Sequence, residues 1–387
     1  MAAASGQRLA SSGLTALSHR LTAQFTVAGS GKGRTGNLIF SPLSIYSALS
    51  LVAGRGRTVR AYLERVYPDT PQPGGPQIVF ASGLWHDATL KFKPAYRNVA
   101  AESCKAVRNE AVREINSWVA EVTRKLIVSI LDSVPEDTAV VITNAIYFKD
   151  LWMTPFDKRR TKEDQFHRLD GTTVNAQFMS SSRDQLITVH DGFKELKMPY
   201  AAEHDPLDGM PANEKAKLFI AAGGTAPYSM FVVLPDARES LWSLQDTIGA
   251  SPDILHQQMK RVKVGRFLLP KFKLSFSSSL KDALHELGIK ATFSLTGADL
   301  PDMLEDDRMG RPLFVGDVLH KAVIEVNEEG TEAAAVTAVT MRWGCTSQKY
   351  RPVPVDFVAD HPFAFFVVEE VSGAILFAGH VLDPAKF

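Results

Sequence analysis

The chain has 387 residues, which is enough for a single large domain with a sizeable core. Its 43 Lys and Arg residues are balanced by 43 Asp and Glu residues, so no net basic charge draws it to nucleic acid or to an anionic membrane. Hydrophobic residues make up 45% and charged residues 22%, a composition that is typical of a soluble globular protein and excludes a fibrous or disordered chain.

Cysteine content and the N-terminal sequence restrict the structure further. The two cysteines, Cys104 and Cys345, are too few for a disulfide framework, and they do not have the spacing of a metal site. We therefore predict no metal and no cofactor. The early sequence has no apolar stretch preceded by positive charge, and no run approaches the roughly 18 apolar residues of a membrane helix. This predicts no signal peptide, and a cytoplasmic location.

The first half of the chain predicts alternating helices and strands. Leu14, Leu17, Leu21 and Phe25 recur at helical spacing, and residues 37–41 read as a short buried strand that runs into a helix beginning at Pro42. The further candidates are a short helix at Val59–Val66 in a proline-rich loop, a strand at Ile78–Trp85, a helix at Val112–Val122 and a strand at Thr138–Asn144.

The second half of the chain predicts mostly strands. We expect a long surface loop at Ala201–Pro227, a strand at Met230–Leu234, a half-buried strand from Phe272, a helix at Leu280–Leu287 stopped by Gly288, and strands over most of Phe363–Leu382. Neither an internal repeat nor a change of composition divides the chain. The prediction is one α+β domain that spans residues 1–387.

The familiar catalytic motifs are absent or misplaced. Gly31–Gly36 has the letters of a dinucleotide-binding loop, but it precedes a strand, whereas that loop must follow one. His285 has no second His four residues away, so a zinc-protease site is excluded and a solvated helix face is predicted. No Gly-x-Ser-x-Gly sequence is present. The basic run Lys158–Lys162 has acidic neighbours and is predicted to be a solvated loop. We predict that the protein is not an enzyme.

The stretch from residue 328 to residue 354 fits neither an ordinary core nor an ordinary loop. Written as a strand, one face carries Thr331, Ala333, Ala335, Thr337, Val339 and Met341, none of which is charged. Glu332 and Arg342 both fall on the other face, so this segment is able to lie in a sheet with one face buried. A helix competes over residues 332–335, and Ala, Thr and Val are also common in plain loops.

Two long motifs carry a family resemblance. Residues 320–335, with the sequence HKAVIEVNEEGTEAAA, resemble the hinge of the serpins, and residues 356–363, with the sequence DFVADHPF, resemble their C-terminal region. Residues 37–44, 144–149, Trp152 and 269–273 extend the likeness over essentially the whole chain. The wording of the C-terminal motif is most similar to the plant serpins of the cereal Z type.

The resemblance implies a fold and an activity. Serpins have three β-sheets with eight or nine helices, with fewer here if shortened segments lack theirs, and an exposed reactive-centre loop, here about residues 328–354. A protease cleaves the loop and is trapped as an acyl-enzyme when the loop enters the largest sheet as a new strand. The implied hinge residues are Gly330, Thr331, Glu332, Ala333, Ala334, Ala335, Val336 and Thr337. The resemblance also implies structural residues where the sheet opens. Those beneath the sheet are Ser41, Pro42, Ser44, Asn144 and His320, and Trp152 lies at its upper end.

The register of the family places the cleaved bond between Gly344 and Cys345. Glycine offers a protease no side chain, so the bond between Arg342 and Trp343 is the alternative. The implied partner is a serine protease, with a papain-like cysteine protease as the alternative. For Ser41, Asn144 and His320, core packing is the competing interpretation, and either role requires them to be hydrogen-bonded internally.

Two departures from the family pattern support a different function. The chain is short between Thr58 and Ile78, where two helices are usual, and a strand-forming segment at Ala106–Asn109 is nearly absent. We expect a protease inhibitor, and these losses make the alternative a non-inhibitory serpin that is a protease substrate, a storage protein or a binding protein. We expect a monomer, with oligomers linked from loop to sheet as the alternative. The resemblance also leaves an extracellular location open.

Overall fold

A computed structural model describes residues 17–18, 20–22, 24, 36–52, 77–94, 96, 104–107, 111–134, 138–201, 228–250, 259–290, 293, 315–331, 353–370 and 372–386. Within these ranges, no helix is both long enough and apolar enough to cross a membrane. The predicted helix at Val59–Val66, nearly all of the predicted loop at Ala201–Pro227 and residues 31–35 lie outside the described residues.

Most of the described chain is β-strand. The strands in chain order are β1 (Leu38–Phe40), β2 (Gln77–Asp87), β3 (Cys104–Val107), β4 (Val140–Leu151), β5 (Lys162–His167), β6 (Thr173–Ser180), β7 (Gln185–Val189), β8 (Phe193–Pro199), β9 (Tyr228–Pro235), β10 (Arg261–Val262), β11 (Val264–Pro270), β12 (Phe272–Ser279), β13 (Asp317–Val326), β14 (Gly330–Thr331), β15 (Val355–Val358), β16 (Phe363–Glu369) and β17 (Ala374–Val381). The helices with defined bounds are α1 (Pro42–Val52), α2 (Ala111–Val122), α3 (Leu241–Ala250) and α4 (Lys281–Glu286).

The strands form three sheets. One has seven strands in the order β1-β17-β16-β9-β8-β7-β10, and another has four in the order β15-β11-β6-β5. The third, which we call the main sheet, has the order β12-β13-β14-β4-β2-β3. Apolar side chains from all three sheets meet in one buried cluster, while α2 packs against the opposite face of the main sheet. The expectation of an α+β serpin fold with three sheets is thereby confirmed.

Local sequence signals explain several elements. The buried strand β1 leads directly into α1 at Pro42, as predicted. In β12, Phe272 and Leu274 are buried while Lys273 and Ser275 are exposed, so the alternating pattern is confirmed. Helix α4 ends just before Gly288, whose φ of +92° is a left-handed conformation that favours glycine.

Two strand predictions need correction. The strand predicted at Thr138–Asn144 continues to Leu151, because Lys149 pairs with Gln77 of β2 and Asp150 pairs with Thr331 of β14. The strand-forming segment that we predicted to be nearly absent at Ala106–Asn109 is present in its first part, as β3 (Cys104–Val107), which pairs in parallel with residues 84–87 of β2. Backbone hydrogen bonds to a long neighbouring strand therefore support a short segment that has little strand pattern of its own.

Candidate functional site

The predicted hinge begins inside the main sheet. Strand β14 lies between β13 and β4 at one end of the sheet, antiparallel to both. Thr331 pairs with Val326 on one side and with Asp150 on the other, and Gly330 pairs with Leu151. At the other end, β13 and β4 pair directly and in parallel, from Asp317 opposite Val141 to Val323 opposite Tyr147. The structure thus shows two residues already placed as a strand between β4 and β13.

The close approach of two backbones requires glycine at position 330. A Cβ atom on Gly330 would lie 2.0 Å from the carbonyl oxygen of Asp150 and 2.7 Å from the Cα atom of Leu151. Both neighbours are backbone atoms of β4, so neither can turn away as a side chain would. Any other residue would push the first hinge residue out of the gap.

Thr331 is held on the inner face of the main sheet. It is completely buried, and its Oγ1 atom is hydrogen-bonded to the Tyr200 hydroxyl at 2.8 Å. Tyr200 stacks on Trp152, with ring centroids 4.5 Å apart and an angle of 19° between the planes. Trp152 donates its indole N–H to the carbonyl oxygen of Asn327 at 2.9 Å. The inward position of Thr331 agrees with the uncharged face in the sequence pattern.

A side-chain-stabilised turn reverses the chain between β13 and β14. The Asn327 Oδ1 atom accepts hydrogen bonds from the backbone N–H groups of Glu329 (3.0 Å) and Gly330 (3.3 Å). The Asn327 N–H donates in return to the Gly330 carbonyl at 2.9 Å, and Trp152 N–H donates to the Glu329 carbonyl at 2.9 Å. This Asn turn directs the following residues back along the sheet.

Two glutamates anchor the turn to neighbouring elements. Glu328 is buried and accepts a hydrogen bond from the Thr161 hydroxyl at 2.7 Å, and Lys271 lies 3.0 Å from its other oxygen. Burial alone would raise the pKa of the Glu328 carboxyl, but these contacts hold it below its usual range. Glu329 forms an ion pair with Lys158. The predicted solvated loop at 158–162 is exposed at Lys158–Arg160, yet its first lysine is tied to the hinge turn.

A buried carboxyl lies beside the first hinge residues. The side chain of Asp150 shares the inner face of the sheet with Thr331, because the two residues are paired across β4 and β14. Its Oδ1 atom accepts a hydrogen bond from Leu151 N–H at 2.8 Å. Burial raises the pKa of Asp150 to about 8, so the carboxyl is neutral at pH 7.

Below the hinge, four predicted residues form one closed hydrogen-bond network. The Asn144 Oδ1 atom accepts from the Ser44 hydroxyl, and the Asn144 amide donates to the Ser44 carbonyl at 2.7 Å. The backbone N–H of Ser41 donates to His320 Nε2 at 3.1 Å, and that of Ser44 donates to Ser41 Oγ at 3.2 Å. All four residues are completely buried, and the hydrogen bonds that we expected are present. Pro42 begins α1, which carries Ser44.

The network fixes the charge and tautomer of His320. Since Nε2 accepts from Ser41, the proton lies on Nδ1, which donates to Asn144 Oδ1 at 3.0 Å. Burial lowers the pKa of His320 to about 3, so the ring is neutral at every physiological pH. His320 and Asn144 are also register partners in the pairing of β13 with β4. A strand added between these two would double their separation of about 4.8 Å and break this side-chain bond.

The structure places some of the predicted site residues and leaves others undescribed. Gly330 and Thr331 form β14, Trp152 lies beside them, Pro42 begins α1, and the other four structural residues form the buried network. The other predicted loop residues lie outside the described residues: Glu332, Ala333, Ala334, Ala335, Val336, Thr337, Arg342, Trp343, Gly344 and Cys345. Within the described ranges, no group of His, Cys, Asp or Glu is arranged to bind a metal ion.

Sequence reasoning missed several residues of the site. Tyr200, Asp150 and Lys271 contact the hinge only because distant segments meet, so no local pattern indicates them. The turn at Asn327 does have a sequence signal, since Asn three residues before Gly is typical of a turn.

Comparisons with known proteins agree on one family. Residues 15–384 match the family model described as serpin (serine protease inhibitor). The chain is 44% identical to serpin-Z2A of rice, Oryza sativa subsp. japonica, over 97% of both chains. It is 37% identical to serpin-ZX of barley, Hordeum vulgare, over 97% of this chain and 98% of that one. The native stressed conformation of Arabidopsis AtSerpin1 matches with a TM-score of 0.82 and 32% identity, covering 98% of this chain and 99% of that one.

The buried network generates a stability prediction. We expect Asn144→Ala to lower the free energy of unfolding by about 3 kcal/mol, because it leaves the Ser44 hydroxyl and His320 Nδ1–H buried without an acceptor. Asn175→Ala is the matched control, since Asn175 makes an exposed hydrogen bond to Glu163, and it should cost less than about 0.5 kcal/mol. Urea unfolding measures both. Equal effects of the two substitutions would contradict the prediction.

The raised pKa of Asp150 generates a pH prediction. An unfolded Asp loses its proton near pH 4 but Asp150 does so near pH 8, so its contribution to folded stability is complete below about pH 4 and is lost as the pH rises to 8. We expect the melting temperature of Asp150→Asn to exceed that of the unaltered protein at pH 8 and the difference to shrink at pH 5. The exposed Asp236→Asn is the control. A difference that is independent of pH would show that burial does not perturb Asp150.

Proposed function

Because this chain belongs to the serpin family, we propose that it inhibits its target protease as a suicide substrate whose cleaved loop enters the main sheet. Membership confirms the family resemblance of the sequence and the resemblance to plant Z-type serpins. It also implies protease inhibition and a protease as partner, and serpins are inhibitors, not enzymes. The mechanism and the class of target belong to the proposal.

The proposed reaction begins as ordinary proteolysis. The protease nucleophile attacks the carbonyl carbon of the scissile residue, the peptide C–N bond breaks, and the amine of the next residue leaves. The residues before the cut remain attached to the protease as an ester or a thioester. They then extend β14 between β4 and β13, which moves the attached protease before water can release it.

The pairing of β14 is the observation that supports this mechanism most strongly. Gly330 and Thr331 already form backbone pairs with β4 and β13, so further residues would add to a strand whose register is set. Extending this strand replaces the β4–β13 pairing with two new pairings, one on each side. The insertion therefore gains backbone hydrogen bonds while it breaks the bond between His320 and Asn144.

The cleaved bond and the target follow from the loop sequence. The family register gives Gly344–Cys345, whereas the side chain of Arg342 favours a trypsin-like serine protease that cuts before Trp343. Cutting at Arg342 shortens the inserted strand by two residues, which is about 7 Å. A papain-like cysteine protease is the alternative target class, because it also forms an acyl-enzyme with a peptide bond.

A protease panel tests the proposal. We expect that mixing the purified protein with trypsin, chymotrypsin and papain gives a covalent complex on denaturing gels with at least one of them, and that the cleaved chain melts at a higher temperature. N-terminal sequencing of the released fragment identifies the bond. If trypsin is trapped at Arg342, Arg342→Ala abolishes that complex, while Lys349→Ala leaves it unchanged.

One combination of results would contradict the proposal: cleavage by every protease without a covalent band and without a rise in melting temperature. It would leave a serpin that is a substrate, a storage protein or a binding protein.

A single hinge substitution separates cleavage from trapping. Thr331 is fully buried, so Thr331→Arg places a charge in the sheet and should keep the hinge outside it. We expect the variant to be cleaved at the normal rate but to form at least about tenfold less covalent complex, since each 1.4 kcal/mol added to the insertion barrier slows insertion about tenfold relative to deacylation. Thr331→Ser keeps the hydroxyl group for Tyr200 and is the control. Undiminished trapping by Thr331→Arg would contradict the role of the hinge.

A further inference from the structure

Five exposed cations lie together near the ends of the reactive-centre loop. We call them the basic patch: Arg160, Arg183, Lys260, Arg261 and Lys263. They come from three separate places in the sequence, at Arg160, at Arg183 and around β10, which the fold brings near one another.

Backbone pairing and two side-chain contacts hold the patch together. Arg160 donates to the Ser182 hydroxyl at 2.8 Å, next to Arg183. Arg261 donates to the carbonyl oxygen of Asp184 at 3.3 Å and pairs with Leu186 in the contact between β10 and β7. Lys260 and Lys263 flank β10 in the chain and are both exposed, so each lies within two residues of Arg261.

The members of the patch differ from their neighbours in forming no close ion pair, although the exposed Asp184 follows Arg183 in the chain and Asp157 lies near enough to Arg160 to interact with its charge. The nearby cations Lys158, Arg159 and Arg266 each form an ion pair, with Glu329, Asp157 and Asp164 respectively. Among the residues that the structure describes, no member of the basic patch is within ion-pair distance of an acidic side chain. These like charges repel one another, so folding alone gives no reason to group them.

The position of the patch indicates what covers it. Arg261 borders a cleft with Trp152 and Phe156, and Trp152 lies beside Thr331, the last described residue before the loop. The backbone carbonyl of Lys263 accepts a hydrogen bond from the N–H of Val355, where the chain returns as β15. Members of the patch therefore lie near both described ends of the loop, so they are placed to contact a protease that binds the loop.

We propose that the basic patch is a second contact site for the target protease, and that it selects proteases with an acidic surface beside their active site. This inference rests on the proposed function, because it assumes that a protease engages the loop. The patch would steer the acidic partner to the loop and raise the association rate without contacting the scissile bond. The zero net charge of the chain favours this local role over general binding to nucleic acid.

Two trypsin isoforms provide the test. Anionic and cationic trypsin share one cleavage specificity but carry opposite net charges. A difference between their rates of loop cleavage therefore reports on contacts outside the protease active site. We would measure the second-order rate of loop cleavage at about 25 and about 300 mM NaCl, each divided by the rate on a small neutral peptide substrate. At low salt we expect the normalised rate of loop cleavage to be about tenfold higher for anionic trypsin than for cationic trypsin. High salt should remove most of this difference.

A charge-reversal variant links the preference to the patch. In Arg183→Glu/Lys260→Glu/Lys263→Glu, none of the altered side chains makes a hydrogen bond or an ion pair within the described residues, so folding should be retained. The preference should reverse towards cationic trypsin. The matched control is Lys91→Glu/Lys281→Glu/Lys290→Glu, which reverses the same number of charges beyond the ends of β2 and β12 that lie away from the hinge. This control should keep the preference of the unaltered protein.

The possible failures are distinguishable. An isoform preference that the triple variant leaves unchanged would overturn the basic patch as a protease contact. The same holds if the variant loses affinity for a double-stranded DNA fragment while the preference stays unchanged. Failure of the suicide mechanism would appear differently, as loop cleavage without a covalent band, and the cleavage rates would still report on the patch.

Discussion

The parallel pairing of β4 with β13 is the interaction on which the rest of the structure depends. It closes the centre of the main sheet from Val141 to Tyr147, while the two residues of β14 hold the same strands apart at the hinge end. Parallel neighbours that are not joined by a short turn can separate without breaking the chain. The main sheet is thus closed at one end and opened at the hinge end. The point at which β4 and β13 separate sets how many residues lie between them as β14.

The side chains beneath this boundary are polar, in a surround that is otherwise apolar. His320 and Asn144 connect the two strands, and Ser44 connects them to α1. Each hydrogen bond contributes only about 1 kcal/mol net, but an orphaned partner costs more, so the network resists partial opening. In the proposed mechanism, opening would become favourable only when a new strand supplies backbone hydrogen bonds along the whole gap. A polar network therefore makes the closed sheet respond in a nearly all-or-none way, which apolar packing would not.

The sequence predicted those parts of the structure that local rules control. The strand β1 with the start of α1, the alternation in β12 and the end of α4 at Gly288 each follow from a few neighbouring residues. Motifs identified the buried network by resemblance, because distant positions cannot be paired from one sequence. The edge strand β3 and the contacts of Asp150, Tyr200 and Lys271 were missed, since each depends on a segment that is remote in the chain.

The two ends of the reactive-centre loop are anchored differently, and this asymmetry determines what the basic patch can do. The C-terminal end is held in the four-stranded sheet, where β15 pairs with β11. The N-terminal end is held by the Asn327 turn, but Gly330 and Thr331 already point into the main sheet. In the proposed mechanism, the acyl-linked protease would leave with the N-terminal segment, away from Val355 and the adjoining Lys263. A contact at the patch would then be lost as trapping proceeds. The patch would therefore act on the encounter and select the protease, whereas the stability of the trapped complex would depend on the sheet.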